Sequence, residues 1–369
     1  MANLICFASN RDSIQSCFRD YFYEYMAQTD KNGGYVYDKS ISFAEKEKKV
    51  NAAMMKEITR LSGINMENAN VSTEMLAQNP TLRWATFAVV NDLVDFIVPD
   101  VIDRSIGVYT EQRYGAYGDS FSFTIEPNDL FYVSKVGRDQ RTTEFQKQFP
   151  GQVTVTPEAR GISVAVSLYK VLCGKESLAK FAMKAALSLE AQITKEVYTA
   201  FNTAMEAIPF TSNSVGLNVH GWSQDSAVRV AQTVSAYNHG AEAIFLGTKL
   251  ALNKVMPMDA NYRYDFDSDY VKVGYVRDFM GYSALEMRQV ADWKNPYNLI
   301  LNDNRIYIIS PSTPKPVKLC YEGSAYTVNL DHDRHADFEA STTLFKSYGI
   351  AIATNATVGV VMLDQTAGG

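Results

Sequence analysis

KESLAKFAMKAALSLEAQITKEVYTAFNTAMEAI, residues 175–208, carries apolar side chains at Leu178, Phe181, Ala185, Leu189, Ile193, Val197, Phe201, Met205 and Ile208. Every step is three or four residues, which places these positions on one face of an α-helix. Lys180, Lys184, Glu190, Lys195, Glu196 and Glu206 fall on other faces. Gly174 precedes the run, and Pro209 cannot continue it. A helix of this length is a rod of roughly 45–50 Å. One apolar stripe with a polar back predicts a spine lying against a sheet.

The chain before the spine divides in two. Residues 1–114 read as a loosely patterned arm with leading helices. Asp20 to Tyr25 is aromatic without a clean period, and Asn32-Gly-Gly34 is a turn. Ser42 and Glu45 form a capping box ahead of Val50, Met54, Ile58 and Leu61, and Gly63 closes that helix. Asn79-Pro80 starts a second helix through Trp84, Phe87, Val90, Leu93, Val94 and Ile97, expected to stop before Pro99. Residues 1 to about 78 lack the apolar content for a core of their own and are expected to drape over other elements.

Residues 115–172 change to strand patterns. Phe121–Ile125 and Ile162–Leu168 alternate, and Leu130–Val136 and Gln152–Thr156 are β-prone. Arg138, Asp139, Arg141, Glu144 and Lys147 lie between Gly137 and Gly151. The segment predicts one long β-hairpin with a polar tip, whose apolar side (Phe121, Phe123, Ile162, Val164, Val166) rests on a partner, because an isolated hairpin is marginal in water.

After the spine (173–210), residues 211–324 predict a compact α+β insertion. Ser226–Tyr237 and Thr248–Val255 read as helices, and Ala243–Leu246, Val273–Val276 and Tyr282–Gln289 as strands. Leu299–Leu301 and Arg305–Ile309 read as a hairpin turning at Asn302-Asp-Asn304. In residues 325–369, Leu344–Ala353 and Val358–Leu363 predict strands of the sheet beneath the spine, with Asn355 at the turn.

Composition bounds the function. The 369 residues are 46% hydrophobic and 21% charged, enough for a sizeable core and two or three domains. The 22 Tyr and 19 Phe suit interfaces. A net charge of −6 argues against a dedicated nucleic-acid binder, though not against a protein that encloses nucleic acid without gripping it. Cys6, Cys17, Cys173 and Cys320 have no metal spacing and read as reduced residues of a cytosolic product; Cys173 and Cys320 read as packing residues. No signal peptide and no membrane span is expected.

Chemical motifs are sparse. Asp331, His332, Asp333, His335 and Asp337 form the chain's His/Asp cluster, with two His three apart and carboxylates available as ligands. It lacks an internal glutamate base and reads first as a solvated loop of self-paired charges. Asp265, Asp267 and Asp269 open like a calcium loop, but Tyr270 stands at the glycine position. No Walker sequence, G-x-S-x-G or G-x-G-x-x-G occurs. No catalytic, cofactor-binding or metal residue is assigned.

The order of arm, long hairpin, spine helix, inserted domain and returning strands resembles the major capsid proteins of tailed bacteriophages, the Hong Kong 97 phage fold. Three local stretches carry the likeness: Ala243–Lys254, Gly274–Leu285 and Asn302–Ile309. The resemblance spans roughly residues 80–365. It implies an N-arm, an E-loop (the hairpin), a peripheral domain holding the spine and its sheet, and an axial domain at 211–324. The expected function is a structural, non-enzymatic subunit of an icosahedral head shell around double-stranded DNA. It would be made in the host cytoplasm and reside in the virion. Expected partners are its own copies in hexamers and pentamers, with scaffolding, portal and decoration proteins, and no membrane. No cross-linking residue carries over, and no cleaved charged prosegment is expected ahead of the arm. Two other readings are an encapsulin-like compartment enclosing a protein cargo and, from a different class, a metal-dependent hydrolase using the 331–337 cluster.

Overall fold

A computed structural model describes residues 11–27, 35–65, 72, 75–76, 79–137, 145–208, 217–254, 274–295, 297–312, 314–330, 339–353 and 356–363. The leading helices include α1 (Arg11–Tyr25), α2 (Phe43–Ser62) and α3 (Pro80–Ile106). The spine is α5 (Leu178–Glu206), preceded by the short α4 (Leu168–Leu172). Ser177 caps the spine, its hydroxyl accepting from the Lys180 amide at 3.3 Å. Asn51 of α2 reinforces this end: its carbonyl accepts from the Ala179 amide at 2.9 Å and its amide donates to Ser177 at 2.9 Å. Two of the four amides left unpaired at a helix start are thereby satisfied.

The spine buries Leu178, Leu189, Ile193, Val197, Phe201 and Met205, as its period predicts. Ala179, Ala182 and Ala186 are also buried, so the apolar face is wider than one stripe. It packs against α3 and α2 as well as against the sheet strand β11 (Glu339–Ile352). Glu190, expected on a polar face, is buried too.

The leading helices follow local chemistry closely. The Ser42–Glu45 capping box is present, with Glu45 N donating to Ser42 Oγ at 3.4 Å and Ser42 N to Glu45 Oε2 at 3.3 Å. Gly63 closes α2 at φ +67°, a left-handed geometry that glycine adopts without a Cβ penalty. The aromatic stretch at 20–25 belongs to α1, which buries Phe18, Tyr21, Phe22 and Tyr23 against α2 and α3. Lys46, nearly inaccessible, pairs with Asp20 at 2.8 Å and Glu24 at 2.6 Å. α2 also packs against the spine.

Helix α3 corrects one expectation, for it runs through Pro99 to Ile106. An interior proline removes one backbone bond and costs about 3 kcal/mol in isolation. Val98, Val101, Ile102 and Ile106 are buried on either side of it, and this burial offsets the loss.

The first sheet has the order β1-β10-β11-β4: β1 (Thr110–Gly115), β10 (Val317–Leu330), β11, and β4 (Glu158–Ser167). β1 runs parallel to β10, and the other pairs are antiparallel. α3 and the spine cover one face. A short ribbon, β2 (Phe121–Ile125) paired with β3 (Gly151–Val155), covers Cys320 and Ala351 on the other. The ladder of β10 and β11 shifts register between Glu322 and Tyr326, where Gly323 takes φ +59°. Asp95 of α3 holds this bulge. Its carboxylate accepts from the Ala325 amide and from Lys346 Nζ, each at 2.6 Å.

The second sheet has the order β5-β12-β9-β6-β8-β7, with β5 (Asn218–His220), β6 (Ile244–Gly247), β7 (Asp278–Phe279), β8 (Tyr282–Glu286), β9 (Arg305–Ile309) and β12 (Gly359–Met362). Helices α6 (Gln224–Tyr237) and α7 (Lys249–Asn253) pack on it around Val230, Val234, Phe245, Ile306, Ile308 and Val361.

Four expectations fail here. The strand at 358–363 joins this second sheet and not the spine's, because β12 finds partners in β9 and β5. The boundary at 324/325 falls inside β10, which belongs to the spine's sheet from Val317 onward. Leu299–Leu301 is not the partner of 305–309: Ile300 N donates to Val290 O at 2.9 Å, and Leu299 bridges Ala291. Residues 274–276 are in no strand. The spine joins the two sheets, with Phe201 lying 5.0 Å from the Tyr109 ring and 4.9 Å from the Tyr307 ring.

Candidate interaction surface

The expected long hairpin exists only at its root. Phe121 pairs with Val155 and Ile125 with Gly151, and there the ladder stops. The next positions explain why: Pro127 and Pro150 have no amide to donate, so the ribbon cannot extend past them. Residues 130–136 form no strand, and Ile162 lies in β4, paired with Leu344 in the main sheet. Phe121 and Phe123 are buried by their own chain against Val155, Cys320 and Ala351, so they need no partner. Val164 and Val166 also lie in β4.

What the hairpin leaves uncovered is different. Between the two prolines, Leu130 is 76% exposed, Tyr132 77%, Val133 89%, Phe145 96% and Phe149 78%, with Phe131 also open. Val136 is exposed as well; single exposed hydrophobes are ordinary, whereas seven large ones in one segment make a candidate interaction site. The segment is nonetheless organised. Gln146 brackets Tyr132, accepting from its amide and donating to its carbonyl, both at 2.7 Å. Gln148 donates to Asp129 O. Asn128 fastens the root to the second sheet's domain, donating to Tyr237 O at 3.0 Å while its carbonyl lies 3.0 Å from His239 Nε2. On the other side, Arg113 donates to Ser122 O at 2.8 Å, and its guanidinium sits 4.3 Å from the Phe123 ring centre. Glu111 neutralises this corner. Burial pushes its carboxyl up, but Lys318 at 2.6 Å, with Arg113, more than offsets that and holds it below the usual range. The arm thus has a fixed base and an open apolar middle.

Asp331, His332, Asp333, His335 and Asp337 fall outside the described residues, as do Asp265, Asp267, Asp269, Arg138, Asp139, Arg141, Glu144, Cys6 and Asn355. Lys147 is exposed on the arm. Cys320 is buried and its thiol is pushed up by burial, consistent with packing. Cys173 is exposed, contrary to the packing reading, because it follows the end of α4 instead of entering a core. Among the described residues, no group of three or more His, Cys, Asp or Glu is placed to hold a metal ion. No described helix is long and apolar enough to cross a membrane.

The spine carries one further polar feature that the sequence pattern missed. Glu190 and Thr194 line a cavity of about 230 Å³ with Tyr25, Met26, Tyr109 and Met287. Burial pushes the Glu190 carboxyl up, partly countered by Arg288, and the buried Thr194 hydroxyl makes no hydrogen bond. The arm's uncovered apolar run was visible in the sequence as Leu130-Phe-Tyr-Val133 bounded by prolines. The pairing partner of 162–168 was not.

No family model matches the sequence, and no curated protein matches it. Among solved structures, the chain is similar to the capsid of a native GTA particle at 13% identity, covering 71% of this chain and 90% of that one with a TM-score of 0.48. It is similar to the capsid of the cyanophage P-SCSP1u at 11% identity, covering 69% and 86%, with a TM-score of 0.47. A third is the mature capsid of bacteriophage PhiM1, at 8% identity, covering 69% and 85%, with a TM-score of 0.45.

Proposed function

We propose that this chain is the subunit of a self-assembling capsid shell of a tailed bacteriophage and that it acts by packing against its own copies. The observation that carries the reading is the arm at 126–150. It has an anchored base, seven large exposed apolar side chains, and no cover for them among the described residues. A free monomer gains nothing from such a segment, whereas a shell buries one arm per subunit and sums many modest contacts. In this reading the residues around α3, the spine and the first sheet form the peripheral domain. The second sheet with α6 and α7 forms the axial domain, which meets its copies in pentamers and hexamers. The packaged double-stranded DNA is enclosed and not gripped, in keeping with the net charge of −6. Scaffolding, portal and decoration proteins are the expected further partners, and the assembled protein resides in the virion.

The test is purification of the full chain followed by sedimentation and negative-stain imaging. Closed shells of uniform size support the reading, and an absorbance ratio typical of nucleic acid in particles from producing cells supports the DNA cargo. A monodisperse monomer or small oligomer at every concentration overturns it, and a co-purifying protein cargo without nucleic acid overturns the phage-head assignment.

A further inference from the structure

β1 is an edge strand: among the described residues it pairs with β10 on one side and with nothing on the other. Its free edge runs beside the last turns of α3, and between them lies a groove of about 680 Å³ lined by Phe96, Pro99, Asp100, Asp103, Thr110 and Tyr114, among others. An open edge of this kind presents unpaired main-chain groups and is a template for another strand. Thr110, in the groove wall, is 1% exposed, yet its hydroxyl has no hydrogen-bond partner. The wall is acidic. Asp100 and Asp103 stand on it beside Tyr114. Asp100 is partly occupied by Arg104 at 3.7 Å and by the Tyr23 hydroxyl, and Lys315 at the rim donates to Gly107 O. Asp103 is exposed.

The arm supplies a matching strand. Gln146 occupies the main-chain groups of Tyr132. In an extended chain the main-chain groups of Phe131 and Val133 then point to the opposite edge, where none of the described residues pairs with them. Phe131, Val133 and Lys135 share one face at period two. On α3, Phe96, Pro99, Asp100 and Asp103 share one face at steps of three and four. The strand row runs apolar, apolar, basic and the helix row apolar, apolar, acidic, acidic, so opposite charges meet at the end. Their lengths are comparable: the seven steps from Phe96 to Asp103 rise about 10 Å and the four steps from Phe131 to Lys135 about 13 Å. In its own chain the arm is tied at Asn128 to the other domain and lies exposed, so the groove's occupant comes from a second copy.

We propose that residues 130–137 of a second copy add as a strand to the free edge of β1, with Phe131 and Val133 over Phe96 and Pro99 and Lys135 against Asp103. This rests on the shell reading and specifies the contact that closes it. The test is a charge exchange in the full-length chain. Asp103→Lys lies on an exposed last turn, where a cation suits the helix dipole, so the subunit is expected to fold. Asp103→Lys and Lys135→Asp should each lower shell yield at least tenfold in sedimentation, and the double variant should restore it. Val133→Pro, which removes an amide from an exposed position, should lower yield equally while circular dichroism stays unchanged. Singles that assemble like wild type, or a double variant that fails to recover, overturn the strand addition while wild-type shells still stand. Wild-type protein that forms no shells removes the shell reading itself.

Discussion

Replacing Phe145 and Phe149 together by Ser separates folding from assembly. The side chains are 96% and 78% exposed, so their loss should change the stability of the isolated subunit by no more than about 0.5 kcal/mol. If assembly covers them, each contributes on the order of 1.5–3 kcal/mol of burial. Scaled by the exposed fractions, the pair is worth about 3–5 kcal/mol for each arm, or roughly two to four orders of magnitude in the equilibrium constant of one contact. Every subunit in a shell uses this contact, so the deficit compounds with each copy added. Thermal unfolding followed by circular dichroism should be superimposable on that of wild type. Sedimentation velocity across a concentration series should show subunit where wild type shows shells. Shells forming at the wild-type threshold concentration would refute the reasoning. So would a fall in melting temperature of more than about 5 °C, since that would place the two rings in the subunit's own core.

Three further substitutions test the framework beneath the arm. Ile193→Asp puts a charge at a fully buried position of the spine, at a cost on the order of 5 kcal/mol. That is comparable to a whole domain's stability, so insoluble protein is expected in a solubility assay. Lys346→Met leaves the Asp95 carboxylate buried beside α3 without its 2.6 Å partner and should cost about 3–5 kcal/mol in chemical denaturation, with Asp95→Asn in the same chain recovering most of it. Glu190→Gln should stabilise. The folded carboxyl titrates above its unfolded value of 4.5, so burying the ionised form penalises the native state as pH rises through that raised value. Melting-temperature differences between variant and wild type should therefore be largest at neutral pH and vanish below about pH 4.

Elements whose signals are local were legible. The spine's period, the Ser42–Glu45 box, the Asn79 cap and the Gly63 terminator all specify hydrogen bonds within a few residues, and the structure has each of them. Elements decided by distant partners were not. Ile162 and its neighbours alternate equally well for a hairpin or for β11, and β11 lies almost two hundred residues away. Val358–Leu363 has the composition of either sheet, and only the open positions beside β9 and β5 decide between them. Pro99 reads as a stop until the apolar residues beyond it are seen to be buried. Glu190 looks like surface because its neighbours in sequence are charged, while α1 and the 287–291 segment, which cover it, are remote. The apolar residues of the hairpin root pack at home, and those between Pro127 and Pro150 remain open.

A density map of the assembled particle by electron cryo-microscopy addresses the central claim directly. The arm between residues 126 and 150 should lie on an adjacent subunit, with Phe145 and Phe149 covered and residues 130–137 beside a neighbour's β1. Particles in which that arm folds back onto its own chain, or stands in solvent with its rings uncovered, would contradict it.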